Sequence, residues 1–163
     1  MRRIVCFHNP EEENGYLSNW FLSDFLWGGK KFSSMEQYMM YQKALLFEDR
    51  GSALQIMETS NVGEIKALGR SVKNYEDRIW SGVRQIIVYE GLLEKFRQNE
   101  DLKDKLLATK SDILAECAVR DRIWGIGLSM KDDRRFRMSE WQGQNLLGFA
   151  LMMVRAGLTE NKP

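Results

Sequence analysis

Glu36 and Lys43 stand seven residues apart in the stretch Ser33-Ser34-Met35-Glu36-Gln37-Tyr38-Met39-Met40-Tyr41-Gln42-Lys43. No Pro or Gly interrupts Ser33 to Arg50, and Met, Gln, Glu, Lys, Ala and Leu all favour helix. Ser33 followed three residues later by Glu36 predicts a capping box. At about 100° per residue, positions seven apart lie within about 20° of each other. Met35, Tyr38, Met39, Gln42, Leu45 and Leu46 form the broad, mostly apolar face, with Glu36 and Lys43 at its border. An acid and an amine so placed suit proton transfer or nucleophilic attack, because partial desolvation shifts their pKa values. The competing reading is that Glu36 only caps the helix and Lys43 only flanks it.

Other residues carry chemistry by type and position. Ser18 and Asn19, between large apolar residues in Tyr16-Leu17-Ser18-Asn19-Trp20-Phe21, make local backbone turns or point hydrogen bonds at a ligand. Arg70 directly follows Gly69 at the expected end of a helix, where it pairs with terminal carbonyls or binds a phosphate. Trp80, near the start of the longest helical pattern, is core or a wall on which a flat heterocycle stacks. In Arg120-Asp121-Arg122-Ile123-Trp124-Gly125-Ile126-Gly127, the two arginines favour the ionised form of Asp121. Gly125 and Gly127 let backbone approach a ligand. No dinucleotide fingerprint or βαβ pattern surrounds them, which excludes a Rossmann reading. His8 is the one histidine, read as a structural group at a strand end or as a general base.

The totals bound the class. The chain has 163 residues, 24 Lys plus Arg against 23 acids, a net charge of +1, and 44% hydrophobic residues. These suit one domain with a real core, residues 1–163, and demand neither nucleic acid nor a membrane surface. Cys6 and Cys117 match no metal spacing, and with one His no protein-supplied metal site is expected. Free thiols point to a cytoplasmic setting. No apolar run approaches a membrane span.

The elements that must position these residues follow in order. Ile4 to Phe7 is a short strand. Phe25 to Phe32 is a hairpin turning at Gly28-Gly29. After the Glu36 helix come one from Gly51 to Thr59, with Ala53, Leu54, Ile56 and Met57 inward, and one to Leu68 stopped by Gly69. Asp77 to Asn99 is the longest, on the spacing of Ile79, Val83, Ile86, Ile87, Leu93 and Phe96; Gly82 and Gly91 weaken it. Leu102 to Thr109 is a short helix, Ile113 to Ala118 has strand-like residues, and Trp141 opens a last helix whose first N–H groups suit a phosphate. Lys30, Lys31, Lys131, Arg134, Arg135 and Arg137 form a candidate basic rim or are solvated.

Taken together these stretches resemble the NADAR family. The resemblance runs in order from about Ile4 to Leu158, through Leu17-Ser18-Asn19, Ser34-Met35-Glu36-Gln37-Tyr38 with Gln42-Lys43, Leu68-Gly69-Arg70, Trp80, Lys95-Phe96 with Gln98-Asn99, Leu106-Leu107-Ala108-Thr109, Asp121 with Ile123-Trp124-Gly125-Ile126-Gly127, and Trp141 with Gly143 and Asn145-Leu146-Leu147-Gly148. It implies an α+β, mainly α-helical single-domain fold with a small β part. It implies N-glycosidase action, hydrolysis of the C1′–N bond of a ribosylated base, without a cofactor. The substrate is then a small ribosylamino-pyrimidine phosphate of the riboflavin pathway, or ADP-ribosylated guanine in nucleic acid, a class that admits a toxin–antitoxin neighbour. The alternative is a non-catalytic ADP-ribose or NAD-binding module. Carried over as functional are Glu36, Lys43, Trp80 and Asp121, with Asn19, Trp124, Gly125, Gly127 and Asn145 around the pocket. Either carboxylate is then the one at C1′. Lys43 either holds the leaving base or a phosphate as a cation or attacks C1′ of the opened sugar as a Schiff-base amine. His8, Gln37 and Gln144 depart from residues common in relatives, which bears on substrate choice.

Overall fold

The computed structural model describes residues 2–160. In chain order its elements are β1 (Ile4–Phe7), β2 (Leu22–Trp27), β3 (Lys30–Ser34), α1 (Met35–Leu46), α2 (Arg50–Met57), α3 (Val62–Arg70), α4 (Asp77–Gln98), α5 (Glu100–Ala108), β4 (Ile113–Glu116) and α6 (Leu146–Glu160), with short 3-10 turns between. This is a mainly helical α+β fold with two small sheets among the described residues. No helix among them is long and apolar enough to cross a membrane. The chain forms two compact units: Leu22–Asn99, and the residues through Phe21 together with those from Glu100 onward.

In the Leu22–Asn99 unit, β2 and β3 make the expected hairpin, pairing Phe25 with Phe32 and Trp27 with Lys30. Gly28 and Gly29 take φ of +56° and +76°, the pair of positive values a tight two-residue turn requires. The hairpin leads directly into α1, which packs against α2, α3, α4 and β3. Tyr38 stands at the aromatic centre. Its ring lies 5.4 Å from Phe32, 5.6 Å from Trp27 and 5.9 Å from Phe25. Its hydroxyl donates to the Ile87 carbonyl of α4 at 2.9 Å. Tyr38 and Met35 lie so close over Gly91 that a Cβ there would collide with both, so the glycine that weakens α4 in isolation is what lets α1 approach it. At the far end of α4, the Gln98 amide accepts from Leu26 N and donates to Leu26 O, covering that part of strand β2.

The buried stripe of α4 is not the expected one. Ile79 and Ile86 are exposed, whereas Trp80, Arg84, Val88, Gly91, Leu92, Lys95 and Phe96 are buried. Two cations occupy core positions, and apolar residues that an aliphatic count favours face outward. Leu54 of α2 and Leu45 and Leu46 of α1, also expected inward, are exposed.

In the other unit, β1 and β4 pair in parallel, Ile4 with Ile113 through Phe7 with Glu116, and α6 packs on β4. Trp141 does not open α6. It precedes the helix, its indole donates to Arg135 O at 2.9 Å, and it packs on Cys6, Ala115, Cys117, Ile126 and Leu128. Arg155 of α6 donates to Thr109 Oγ1 and Asp112 O, holding the turn before β4.

Candidate active site

The start of α1 decides what Glu36 is for. The residue at the cap is Ser34, whose side chain accepts from Gln37 N at 3.1 Å. Gln37 reaches back and accepts from Ser33 N and Ser33 Oγ, while its amide nitrogen donates to Ile56 O and Thr59 O. The cap is therefore Ser34, one residue on from the expected Ser33, and Gln37 returns its bonds to Ser33 rather than to the cap residue's own N–H. Gln37, not Glu36, holds the helix start. Glu36 is 4% exposed, buried rather than at a border.

Two turns on, Lys43 Nζ donates to Gly69 O in the last turn of α3 at 2.7 Å. It lies 4.4 Å from the centroid of the Tyr75 ring and 6.0 Å from that of Trp80. Gly69 is inside α3 rather than past its end, because Met40 of α1 packs where its Cβ would be; the carbonyl is thereby brought to Lys43. Burial pushes the Lys43 ammonium below its ordinary pKa, and the charges of Glu36 and Asp77 pull it partly back. The Tyr75 hydroxyl donates to Asp77 Oδ1 at 2.8 Å, which fixes the ring under the amine. Burial, then the Asp77 bond and charge, raise the Tyr75 pKa, and the Arg84 charge opposes them. Trp80 is 5% exposed. Glu36, Lys43 and Trp80, expected from sequence, are thus joined by Tyr75 and Asp77, which sequence reasoning missed. Asp77 and Trp80 share a helix face at i, i+3, a spacing that was readable; Tyr75 had no signal. Arg70, expected at a phosphate or at helix carbonyls, is exposed at the end of α3.

In the other unit, Ser18 forms a turn: its Oγ accepts from Trp20 N at 3.1 Å and its carbonyl from Phe21 N. Asn19 is 6% exposed, and its Oδ1 is buried with no hydrogen-bond partner. Asp121 Oδ1 accepts from Ile123 N at 3.0 Å and Trp124 N at 2.8 Å, closing the turn that presents Trp124. The Ile126 amide then donates to Glu116 O, and Gly125 O accepts from Asn145 N. Gly127 has φ +72°, a conformation that favours glycine. Asn145 is fully buried; its amide donates to Leu114 O and accepts from Glu116 N, so both ends of its side chain hold α6 to β4. His8 is exposed. Among the described residues no group of three or more His, Cys, Asp and Glu is placed to hold a metal ion.

Residues 6–159 match the NADAR domain. The chain belongs to the NADAR family. N-glycosidase R617 of Acanthamoeba polyphaga mimivirus is 40% identical over 161 residues, covering 94% of this chain and 95% of that protein. The riboflavin biosynthesis protein VVA0006 of Vibrio vulnificus is 29% identical over 163 residues, all of this chain and 41% of that one. The NMR structure of the Escherichia coli protein YbiA superposes with a TM-score of 0.81 at 27% identity, over 98% of this chain and 88% of that one. The NADAR resemblance and the mainly helical α+β expectation are both borne out.

Proposed function

We propose that this NADAR chain works as a single-domain N-glycosidase that hydrolyses the C1′–N bond of a ribosylamino-pyrimidine phosphate, with Lys43 as nucleophile and Glu36 as proton shuttle. The observation that carries the reading is the Lys43 amine: half-buried, its pKa lowered by that burial, and held over Tyr75 and Trp80. Desolvation raises the fraction of neutral amine, the form that attacks carbon. The N-glycosidase relative supports the bond, and the riboflavin-biosynthesis relative supports the substrate class.

The route starts from the ring-opened sugar, in which C1′ is an iminium carbon joined to the base nitrogen. The Lys43 Nζ lone pair forms a bond to C1′. Glu36 relays the proton lost by Lys43 to the base nitrogen, the C1′–N bond breaks, and the base leaves as an amine. A protonated Lys43 Schiff base remains. Water adds at C1′, with Glu36 taking its proton, and the sugar aldehyde leaves as the lysine amine re-forms. Net, one water is consumed for one base and one sugar phosphate. Trp80 stacks on the base or ribose. Asp121 fixes the turn that carries Trp124, and we assign it that role within its own unit; Asp121→Asn is expected to loosen the turn.

The ADP-ribosylated nucleic acid reading needs a basic rim. Lys31 pairs with Asp24, Arg134 with Asp132, Arg135 with Asp133 and Arg137 with Glu140, so most of those charges have acidic neighbours. That favours the small metabolite. Mass spectrometry of products from both substrates tests the choice: release of ribose 5-phosphate alone is expected, and release of ADP-ribose from DNA alone overturns it. Borohydride added during turnover is expected to leave a covalent adduct on Lys43. Turnover without an adduct sinks the Schiff-base route, and cleavage of neither substrate sinks the enzyme reading in favour of a binding module.

A further inference from the structure

Arg84 occupies a position in α4 where the helix period calls for an apolar side chain. It lies one turn beyond Trp80 and one turn before Val88, on the same buried face,. It is 8% exposed, and its Nε is buried with no hydrogen-bond partner. None of the ion pairs among the described residues includes it. The nearby acid, Asp77, is engaged by the Tyr75 hydroxyl.

Burying a cation without a counter-charge is strongly unfavourable unless something compensates. For Lys95, the other cation on this stripe, burial pushes the pKa down to about 7. A guanidinium stays charged at any physiological pH. Its remaining remedy is an anion, and its planar fork of donors matches an oxyanion. The surroundings say which one. Trp80 is the adjacent turn, the Arg84 charge reaches the Tyr75 phenol, and Lys43 stands over both rings. The Lys43 amine and the Arg84 charge therefore both act on the Tyr75 ring, with Trp80 one turn before Arg84 on α4, an arrangement that suits a flat base or sugar by the rings with an oxyanion on the guanidinium.

We propose that Arg84 is the substrate's phosphate-binding residue, reached along α4 from Trp80 and distinct from the amine that does the chemistry. The proposal rests on the reading of Lys43 as the group that meets the sugar, and it assigns Arg84 the discrimination between phosphorylated and unphosphorylated ligands. Arg70, which the sequence suggested for this task, is at the exposed end of α3.

The test begins with the wild-type protein labelled with ¹⁵N-arginine. Ribose 5-phosphate is expected to shift the Arg84 Nε–Hε resonance saturably, inorganic phosphate to compete, and ribose to leave it in place. A resonance unmoved by ribose 5-phosphate, or moved equally by chloride at matched ionic strength, overturns the proposal. Arg84→Met is expected to weaken ribose 5-phosphate binding at least thirtyfold in calorimetry. Arg84→Lys, which keeps a charge and so guards against a folding failure, is expected to weaken it about tenfold. The preference in kcat/KM for a ribosylamino-pyrimidine phosphate over its dephosphorylated form is expected to fall by the same factors. Unchanged binding and preference in folded variants overturn it. The arms separate the two readings: absent turnover by the wild type defeats the N-glycosidase reading, while the titration still decides Arg84.

Discussion

Replacing Ser34, Gln37 and Glu36 one at a time separates helix capping from catalysis. Ser34→Ala removes the acceptor for Gln37 N; loss of such a cap costs about 1 kcal/mol, up to about 2. For a chain of this size that lowers Tm by about 2–8 °C. Gln37→Ala removes a side chain that accepts from Ser33 N and Oγ and donates to Ile56 O and Thr59 O. At about 0.5–1.5 kcal/mol net per bond, the loss of these four is about 2–6 kcal/mol. Glu36→Gln breaks no cap. It loses the attraction to Lys43 but also the cost of burying a carboxylate, and these oppose each other. Its effect belongs in turnover, about 10²- to 10⁴-fold in kcat if Glu36 moves the protons. Thermal melts by circular dichroism and steady-state kinetics read the two quantities. A Glu36→Gln protein that melts like Gln37→Ala yet turns over at the wild-type rate would refute the reasoning and return Glu36 to a structural role.

Three further outcomes are expected. The kcat/KM of the wild type rises with pH along a limb below the ordinary lysine value, because burial lowers the Lys43 pKa. Asp77→Asn removes one of the charges holding that pKa up and shifts the limb to lower pH, and a limb at the ordinary lysine value in both proteins contradicts the assignment. Asp49 caps α2 and takes Ser52 N, Ser52 Oγ and Lys73 N; the Lys73 and Ser52 hydrogen bonds hold its pKa at about 2. Its folded pKa is below its unfolded one, so its stabilisation is full above about pH 4 and is lost as pH falls towards 2. Asp49→Ala should therefore be less stable by about 1 kcal/mol or more at neutral pH, and denaturant titrations should show the gap closing in acid; a gap independent of pH would contradict this. Gly91→Ala gains up to about 1 kcal/mol of helix propensity but drives a methyl into Tyr38 and Met35, at about 1–3 kcal/mol. A melt showing net stabilisation would mean α1 and α4 are not in close approach at that point.

Local signals carried the hairpin, β1 and the span of α1, because two adjacent glycines, an apolar tetrad and an uninterrupted run of helix formers each specify one short element. The capping box slipped by one because Ser33 and Ser34 are adjacent and both Glu36 and Gln37 can serve the third position; only the contact of Gln37 with Ile56 and Thr59 decides between them. The face of α4 was misread for a different reason. Its buried stripe includes Arg84 and Lys95, which an apolar count discards, and that omission also hid Arg84 as a candidate. Of the site, Glu36, Lys43 and Trp80 were legible from helical spacing and family resemblance. Tyr75 was not, because a ring placed under an amine by a non-helical turn leaves no periodic trace. Asn145 was legible as important but not as the clamp between α6 and β4, since that pairing joins residues 31 and 29 positions apart.

The parallel pairing of β1 with β4 bears on the order in which the protein is made. Strand β1 leaves the ribosome more than a hundred positions ahead of its partner. The Leu22–Asn99 unit, by contrast, is continuous in sequence, so Lys43, Tyr75, Trp80 and Arg84 all emerge before β4 exists. Local segments close quickly, whereas a long loop must first lose its chain entropy. Synthesis therefore favours a nascent chain in which the lysine-bearing unit forms first, while the β1 edge stays unpaired until Ile113–Glu116 arrives. Until then β1 presents the open backbone groups to which other extended chains add, and this interval is when the protein is most exposed to mispairing.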